Sequence, residues 1–282
     1  MAAEDDRVTV VVASRNRRDD LLASLPAHRA PVILVDNDST DGSADAVAAA
    51  CPEVRVIRLP RNVGAVARTV GVRAATTPFV AFADDDSWWA PGSLSEAATT
   101  LAGHPRLGLV CAKILVGPEE RTDPVSELMA ASPLPQDLTA PGEALLGFVA
   151  CATMVRRSAF LAAGGFDRVV RFPGEEERLA LDLAAAGWAM SYVKDIVVHH
   201  HPSPSRQPPS QRQYGIARAA TLTALMRLPW RDAVGQIRHV AAQSPSHRSG
   251  VVQGLREAPA ALRRRRPIPA EVAAMRRLLV RW

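Results

Sequence analysis

Three consecutive carboxylates, Asp84-Asp85-Asp86, directly follow the apolar run FVAFA. Adjacent like charges repel, so such a triplet costs stability unless cations offset it. Mg²⁺ and Mn²⁺ prefer oxygen ligands and bridge one or two carboxylates to substrate phosphates, so the triplet points to a divalent-metal site. The next helix is expected to open near Pro91, too far along the chain for helix capping to account for all three acids. A second acidic strand end is VDNDSTDGS (35–43). Asp41-Gly42-Ser43 reads there as a turn and helix N-cap. Asp36 and Asn37 come earlier, at the strand tip, where they can accept hydrogen bonds from a ligand. In VVHHHPS (197–203), strand alternation puts His199 and His201 on one face and His200 on the other. Three histidines without acidic neighbours do not have the spacing of a zinc site.

The elements that must position these groups are legible as alternating patterns. Nearly continuous apolar runs at Val8–Ala13, Val32–Val35, Val54–Leu59 and Phe79–Ala83 predict strands covered on both faces. Helix-length segments separate them, at Arg17–Leu25, Ser43–Ala50, Val63–Ala75 and Pro91–Leu101. Strands alternating with helices imply a parallel α/β sheet, whose ligands bind beyond the carboxyl ends of the strands. Further on, Leu107–Val116 and Phe148–Arg156 read as strands bracketing a Pro-rich loop, 117–142, long enough to be a binding element. A helix over Glu175–Ala186, a strand over Ala189–Val198, an irregular HHHPSPSRQPPS (199–210) and helices over Gln211–Arg227, Trp230–Ala242 and Pro269–Val280 complete the reading.

The 282 residues suffice for one large domain, and 48% hydrophobic with 22% charged residues is an ordinary globular composition. No apolar run approaches the roughly 20 residues of a membrane span. MAAEDDR is acidic and is not expected to be a secretory signal. Three scattered cysteines (Cys51, Cys111, Cys151) form neither a disulfide framework nor a metal knuckle, which suits a reducing cytoplasm. Residues 1–205 carry 19 Lys/Arg and 26 Asp/Glu, a balance of −7, whereas residues 206–282 carry 15 and 3, a balance of +12. A basic tail on an acidic body either meets an anionic surface or forms a solvated or packed helical face. The tail helix, with Val272, Met275, Leu278 and Leu279 among arginines, suits an anionic membrane surface or packing on the domain or a partner protomer. Nucleic acid is not expected, because no recognition module accompanies the arginines.

Six stretches, in order, resemble the inverting family 2 glycosyltransferases of the GT-A fold: VTVVVASRNR (8–17), VDNDSTDGS (35–43), RNVGAVARTVGVRAA (61–75), FVAFADDDSWWAPGSL (79–94), GGFD (164–167) and GEEERLALDLAAAGW (174–188). Within that family the chain looks most like the bacterial rhamnosyltransferase-like branch. The resemblance implies a Rossmann-like, mostly parallel sheet flanked by helices over residues 1–205, followed by a basic helical extension over 206–282. It also implies a nucleotide diphosphate sugar donor and a divalent Mn²⁺ or Mg²⁺ cofactor. Asp86 falls on the metal-holding position of the family's D-x-D motif, and Asp84 or Asp85 on the contact to the ribose or the metal's waters. Ala13, Ser14 and Arg15 fall in the loop that wraps the base. Asn37 stands where many members carry an Asp reading the uracil edge, which keeps UDP or dTDP in view. Arg68 is expected either near the nucleotide or as a plain surface arginine. His200 falls on a histidine some relatives place near the metal, and Arg206 just beyond is suited to phosphate oxygens. Trp88 suits a sugar face, and Trp89 the core.

GEEERLALDLAAAGW matches the family's G-E-D-x-D-L-x-L-R-L-x-x-A-G-W pattern, so Glu175 and Glu176 fall on its Glu-Asp pair and Glu176 on the catalytic base. Here Glu replaces Asp at 176, and the later Asp and Arg are exchanged as Arg178 and Asp182. Their i,i+4 spacing still allows an ion pair. The acceptor is an unknown hydroxyl or amine. Two other readings remain open: a sugar-1-phosphate nucleotidyltransferase, against which VVVASRNRRDD counts for want of a glycine, and a degenerate nucleotide-sugar-binding scaffold.

Overall fold

The computed structural model describes residues 3–136, 140–203 and 208–280. Arg206 and the 137–139 stretch of the expected binding loop lie outside the described residues. Ten strands form one mixed sheet: β1 (Val8–Ser14), β2 (Val32–Asp36), β3 (Arg55–Arg58), β4 (Phe79–Ala83), β5 (Ser87–Trp89), β6 (Leu107–Val116), β7 (Arg121–Thr122), β8 (Glu143–Ala144), β9 (Thr153–Arg156) and β10 (Ala189–His200). The main order is β3-β2-β1-β4-β9-β6-β10-β5, with β7 beside β6 and β8 beside β10. The β3-β2-β1-β4 half is parallel, and β9 enters antiparallel between β4 and β6. β6 and β10 are again parallel.

The helices between strands are α1 (Arg18–Ser24), α2 (Ser43–Ala50), α3 (Val66–Ala74), α4 (Ser93–Gly103), α5 (Pro124–Ala130), α6 (Arg157–Ala162) and α7 (Glu176–Ala185). They cover both faces, which is why the strands are apolar almost throughout. Val11, Ile33, Val35 and Phe82 share one core with residues of α3, α6 and α7. Val10, Val12, Leu34 and Ala81 share the other with α1, α2 and α4, through Leu21, Val47, Leu94 and Leu101. α3 approaches so closely that a Cβ on Gly71 would lie 2.4 Å from Val11 Cγ1.

The C-terminal region is helical: α8 (Pro209–Arg227), α9 (Trp230–Gln243), α10 (Pro245–Arg256), α11 (Ala258–Leu262) and α12 (Ala270–Val280). α10 and α11 were not expected from the sequence, nor were β7, α5 and α6. The expected 117–142 loop therefore contains a strand and a helix, and only Thr153–Arg156 of the expected Phe148–Arg156 strand is extended. Of the alternatives for the tail, packing on the domain is seen at α12. Val272 and Ala273 are buried, with Met275 and Leu279 packed on the same core. Arg276 pairs with Glu177 at 2.8 Å and Arg277 with Asp232 at 2.7 Å. Most of the apolar stripe of α12 is thus turned inward, leaving Leu278 exposed. Among the described residues no helix is long and apolar enough to cross a membrane.

Candidate active site

Strand register brings the first site residues into a row. Ser14 lies beside Asp36 in the β1–β2 ladder, and Val12 beside Ala83 in the β1–β4 ladder. Continuing that register sets Ser14 against Asp85, and its Oγ donates to Asp85 Oδ2 at 2.7 Å. The three aspartates then diverge. Asp84 accepts from Arg68 Nη2, and its backbone N–H donates to Ser87 Oγ at 2.8 Å. Asp85 turns inward, its carbonyl also accepting from Ser24 Oγ at 2.7 Å. Burial, with Asp84 and Asp86 alongside, pushes its carboxyl up to about 7 despite the Ser14 bond. Asp86 faces β10: Oδ1 lies 3.3 Å from His200 Nε2, and Oδ2 accepts from the Ser203 backbone N–H at 2.9 Å.

Arg68 links this cluster to the start of α7. It is buried, pairs with Asp84, and places Nη1 3.6 Å from Glu175 Oε1. Its helix is held by Thr69, whose Oγ1 accepts from Phe166 N–H at 2.9 Å. Gly165 beside it has φ +62°, and a Cβ there would sit 2.7 Å from Thr69, which explains the glycine of GGFD. Glu175 is buried and neither of its oxygens receives a hydrogen bond. Burial first, then its neighbour Glu176, pushes its carboxyl up to about 8, against the pull of Arg68. Glu176, half-buried in the first turn of α7, is also held above the usual carboxylate range, chiefly by burial. Arg68 and Arg212 of α8 pull it the other way.

Glu175 makes stability depend on pH. Between about 4.5 and about 8 the folded protein keeps a proton that the unfolded chain has released. This contribution is complete below the lower value and lost as pH rises through the upper one. Urea midpoints of the ligand-free protein are expected to fall from pH 5 to pH 9, and Glu175→Gln to flatten the slope. A midpoint that rises over that range would remove Glu175 as the responsible group.

The remaining expected residues lie around this centre. Asn37 is buried and spans to the 61–75 motif, its Oδ1 accepting from Val63 N–H at 2.8 Å and its Nδ2 donating to Gly64 O at 3.1 Å. Asp36 is buried and accepts from Ser39 N–H at 3.4 Å. Ala13 is half-buried, and exposed Arg15 donates to Asp38 O at 3.1 Å. Trp89 is buried and donates to Phe82 O. Trp88 stacks on His199 with centroids 5.6 Å apart, on the strand face opposite His200. Sequence reading passed over Arg212, Ser24 and Ser203, which join the site through tertiary packing; Ser203 ends the VVHHHPS stretch, whereas Arg212 and Ser24 belong to no quoted motif.

This sheet has the topology of the GT-A class. S. aureus TarS 1-349 in complex with UDP-GlcNAc superposes with a TM-score of 0.61 at 18% identity, over 95% of this chain and 83% of that one. The mannosyltransferase PcManGT from Pyrobaculum calidifontis, in complex with GDP-Man and Mn²⁺, gives 0.61 at 20% identity, over 100% and 82%. In sequence, the N-acetylglucosaminyl-diphospho-decaprenol L-rhamnosyltransferase of Mycobacterium tuberculosis is 30% identical over 219 residues, 64% of this chain and 69% of that protein. The pre-mycofactocin glycosyltransferase of the same species is 34% identical over 209 residues, 68% of this chain and 42% of that protein. The description Glycosyl transferase family 2 matches residues 9–162, and the chain belongs to that family. It is a glycosyltransferase.

Proposed function

We propose that the chain is a divalent-metal-using, inverting glycosyltransferase that moves a sugar from a UDP- or dTDP-sugar to an acceptor hydroxyl or amine. In this reading residues 1–205 bind the donor and carry the chemistry, and 206–282 form an extension closing on α7. The observation that carries it is the Asp86–His200 pair, 3.3 Å apart at the carboxyl edge of the sheet, joined through Asp84 and Arg68 to the Glu175-Glu176 turn. Among the described residues no three His, Cys, Asp or Glu side chains form a metal group by themselves. One carboxylate oxygen and one imidazole nitrogen nevertheless fit a cation that takes its other ligands from a substrate diphosphate. Asp86 and His200 would hold such a cation, which would supply charge neutralisation for the leaving diphosphate.

Glu176 takes the acceptor's proton as the acceptor oxygen bonds to the anomeric carbon. The bond from that carbon to the diphosphate oxygen breaks on the opposite face, so the configuration inverts. Arg68 is a positioning residue, holding Asp84 against Glu175. Asn37 Oδ1 retains a lone pair that suits the N3–H of a pyrimidine, which favours UDP or dTDP. The mycobacterial rhamnosyltransferase's name specifies an acceptor with a lipid-borne diphosphate. An acceptor of that class is part of the proposal and would bring the enzyme to the inner face of a membrane from the cytoplasm.

Thermal stabilisation by UDP, dTDP and GDP, each with and without Mn²⁺, tests this reading. Ligand at one hundred times its Kd stabilises by about 2.7 kcal/mol. A Mn²⁺-dependent shift with UDP or dTDP is expected, and Asp86→Ala should abolish the metal dependence. A shift with GDP alone would overturn the pyrimidine assignment. No shift with any nucleotide would overturn the donor site and leave the scaffold reading.

A further inference from the structure

A cavity of about 340 Å³ opens where the 168–171 segment meets α8, α10 and α11. Its walls include five guanidinium groups, of Arg168, Arg171, Arg218, Arg256 and Arg263, against one carboxylate, Glu257. The floor is built rather than incidental. Arg218 is buried, pairs with Glu257 through both Nε and Nη2, and donates to Val169 O at 3.1 Å. Arg171 Nη2 lies 3.6 Å from the same Glu257. Arg168, Arg256 and Arg263 are exposed and, among the described residues, make no ion pair. One carboxylate thus faces an excess of cations that repel each other until an anion enters. Guanidinium forks match phosphate oxygens bidentately. The volume is at the small end for ligand sites, fit for a headgroup rather than a whole nucleotide sugar.

The cavity is also tied to the base. Arg171 stands four residues before Glu175, so their Cα atoms are at most about 14 Å apart. Arg218 shares α8 with Arg212, which acts on Glu176, about 9 Å along the axis. Phe172, Leu255 and Leu262, the chain neighbours of Arg171, Arg256 and Arg263, are exposed. Cationic side chains with exposed apolar neighbours along the chain suit an amphipathic phosphate ester rather than a soluble one.

We infer that this cavity holds the diphosphate of a lipid-linked acceptor, placing the acceptor's sugar hydroxyl at Glu176. The inference rests on the transferase reading above but concerns a separate surface, so the two fail separately. Inorganic pyrophosphate, titrated in EDTA to keep it from the metal-dependent donor site, is the first probe. The triple variant Arg168→Gln/Arg256→Gln/Arg263→Gln alters exposed side chains only, and its unliganded melting point checks the fold. Pyrophosphate binding is expected to weaken at least tenfold in the variant, with the UDP–Mn²⁺ shift unchanged. Equal pyrophosphate binding by both proteins would overturn the site. Vesicle flotation supplies the second arm, comparing phosphatidylcholine vesicles that carry a prenyl diphosphate with vesicles of equal charge made with phosphatidylglycerol. Preference for the prenyl diphosphate, lost in the variant, is expected. Equal binding to both vesicles, or response to free pyrophosphate alone, would overturn the lipid assignment. A missing UDP–Mn²⁺ shift with the cavity results intact would instead sink the donor reading.

Discussion

Replacing Glu176 by Gln is expected to lower kcat by about 10²- to 10⁴-fold, the range a positioned general base contributes. The amide keeps the side chain's shape but cannot accept the acceptor's proton as a carboxylate does. Donor binding should survive, because the groups proposed to meet the nucleotide and the diphosphate, Asn37, Asp86 and His200, lie at or beside the ends of β2, β5 and β10 rather than on α7. Nucleotide-dependent melting shifts and turnover, measured on the same preparation, separate the two effects. Retention of activity within about tenfold of wild type would move the base elsewhere, with Glu175 next in line. The wild-type rate should also rise with pH, since Glu176 must be ionised to act and burial holds it above the usual carboxylate range.

Asp182→Ala is expected to cost about 3 kcal/mol of folding stability. Asp182 Oδ2 accepts from Arg178 Nη1 at 2.5 Å and from Arg227 Nη2 at 3.0 Å, while Oδ1 accepts from Arg227 Nε. Arg178 and Arg227 are both buried. Deleting the shared carboxylate strands two guanidinium groups away from water, the situation in which removing one ion partner costs most. It also unfastens α8 from α7, the helix that carries Glu176. Urea denaturation at neutral pH reads the loss directly. A change below about 1 kcal/mol would show that the triad behaves as a set of solvated surface pairs.

Arg178 and Asp182 also show how far the linear sequence reaches. Their i,i+4 spacing is enough to expect a pair on one helix face, and the pair is there. Nothing local announces Arg227, 45 residues on, as the third member. The same holds around the aspartates. A strand ending in three acids is visible as a pattern, but their divergence towards Arg68, Ser14 and His200 follows from the positions of α3, β1 and β10. Arg68 read equally well as a surface arginine or a nucleotide contact, yet close packing of α3 on β1 buries it between carboxylates. Two missed elements did carry local signals. Asp123 caps α5 ahead of Pro124, accepting from Val125 N–H at 2.8 Å. Ser244 caps α10 ahead of Pro245, accepting from His247 N–H at 3.3 Å. Both were masked by surrounding proline and thin hydrophobic content.

The sequence by itself determined the α/β alternation, the apolar strands and the acidic residues at their ends, because propensity, periodicity and capping are short-range properties. It also carried the six ordered motifs of the family. Only the tertiary structure decided which charges meet, that the basic tail is drawn onto α7 and α9 through Arg227, Arg276 and Arg277, and that five arginines from distant segments line one open pocket. Those outcomes depend on pairing free energies between groups far apart in the chain, and such energies exist only after the sheet register and the helix packing have brought them within a few ångströms.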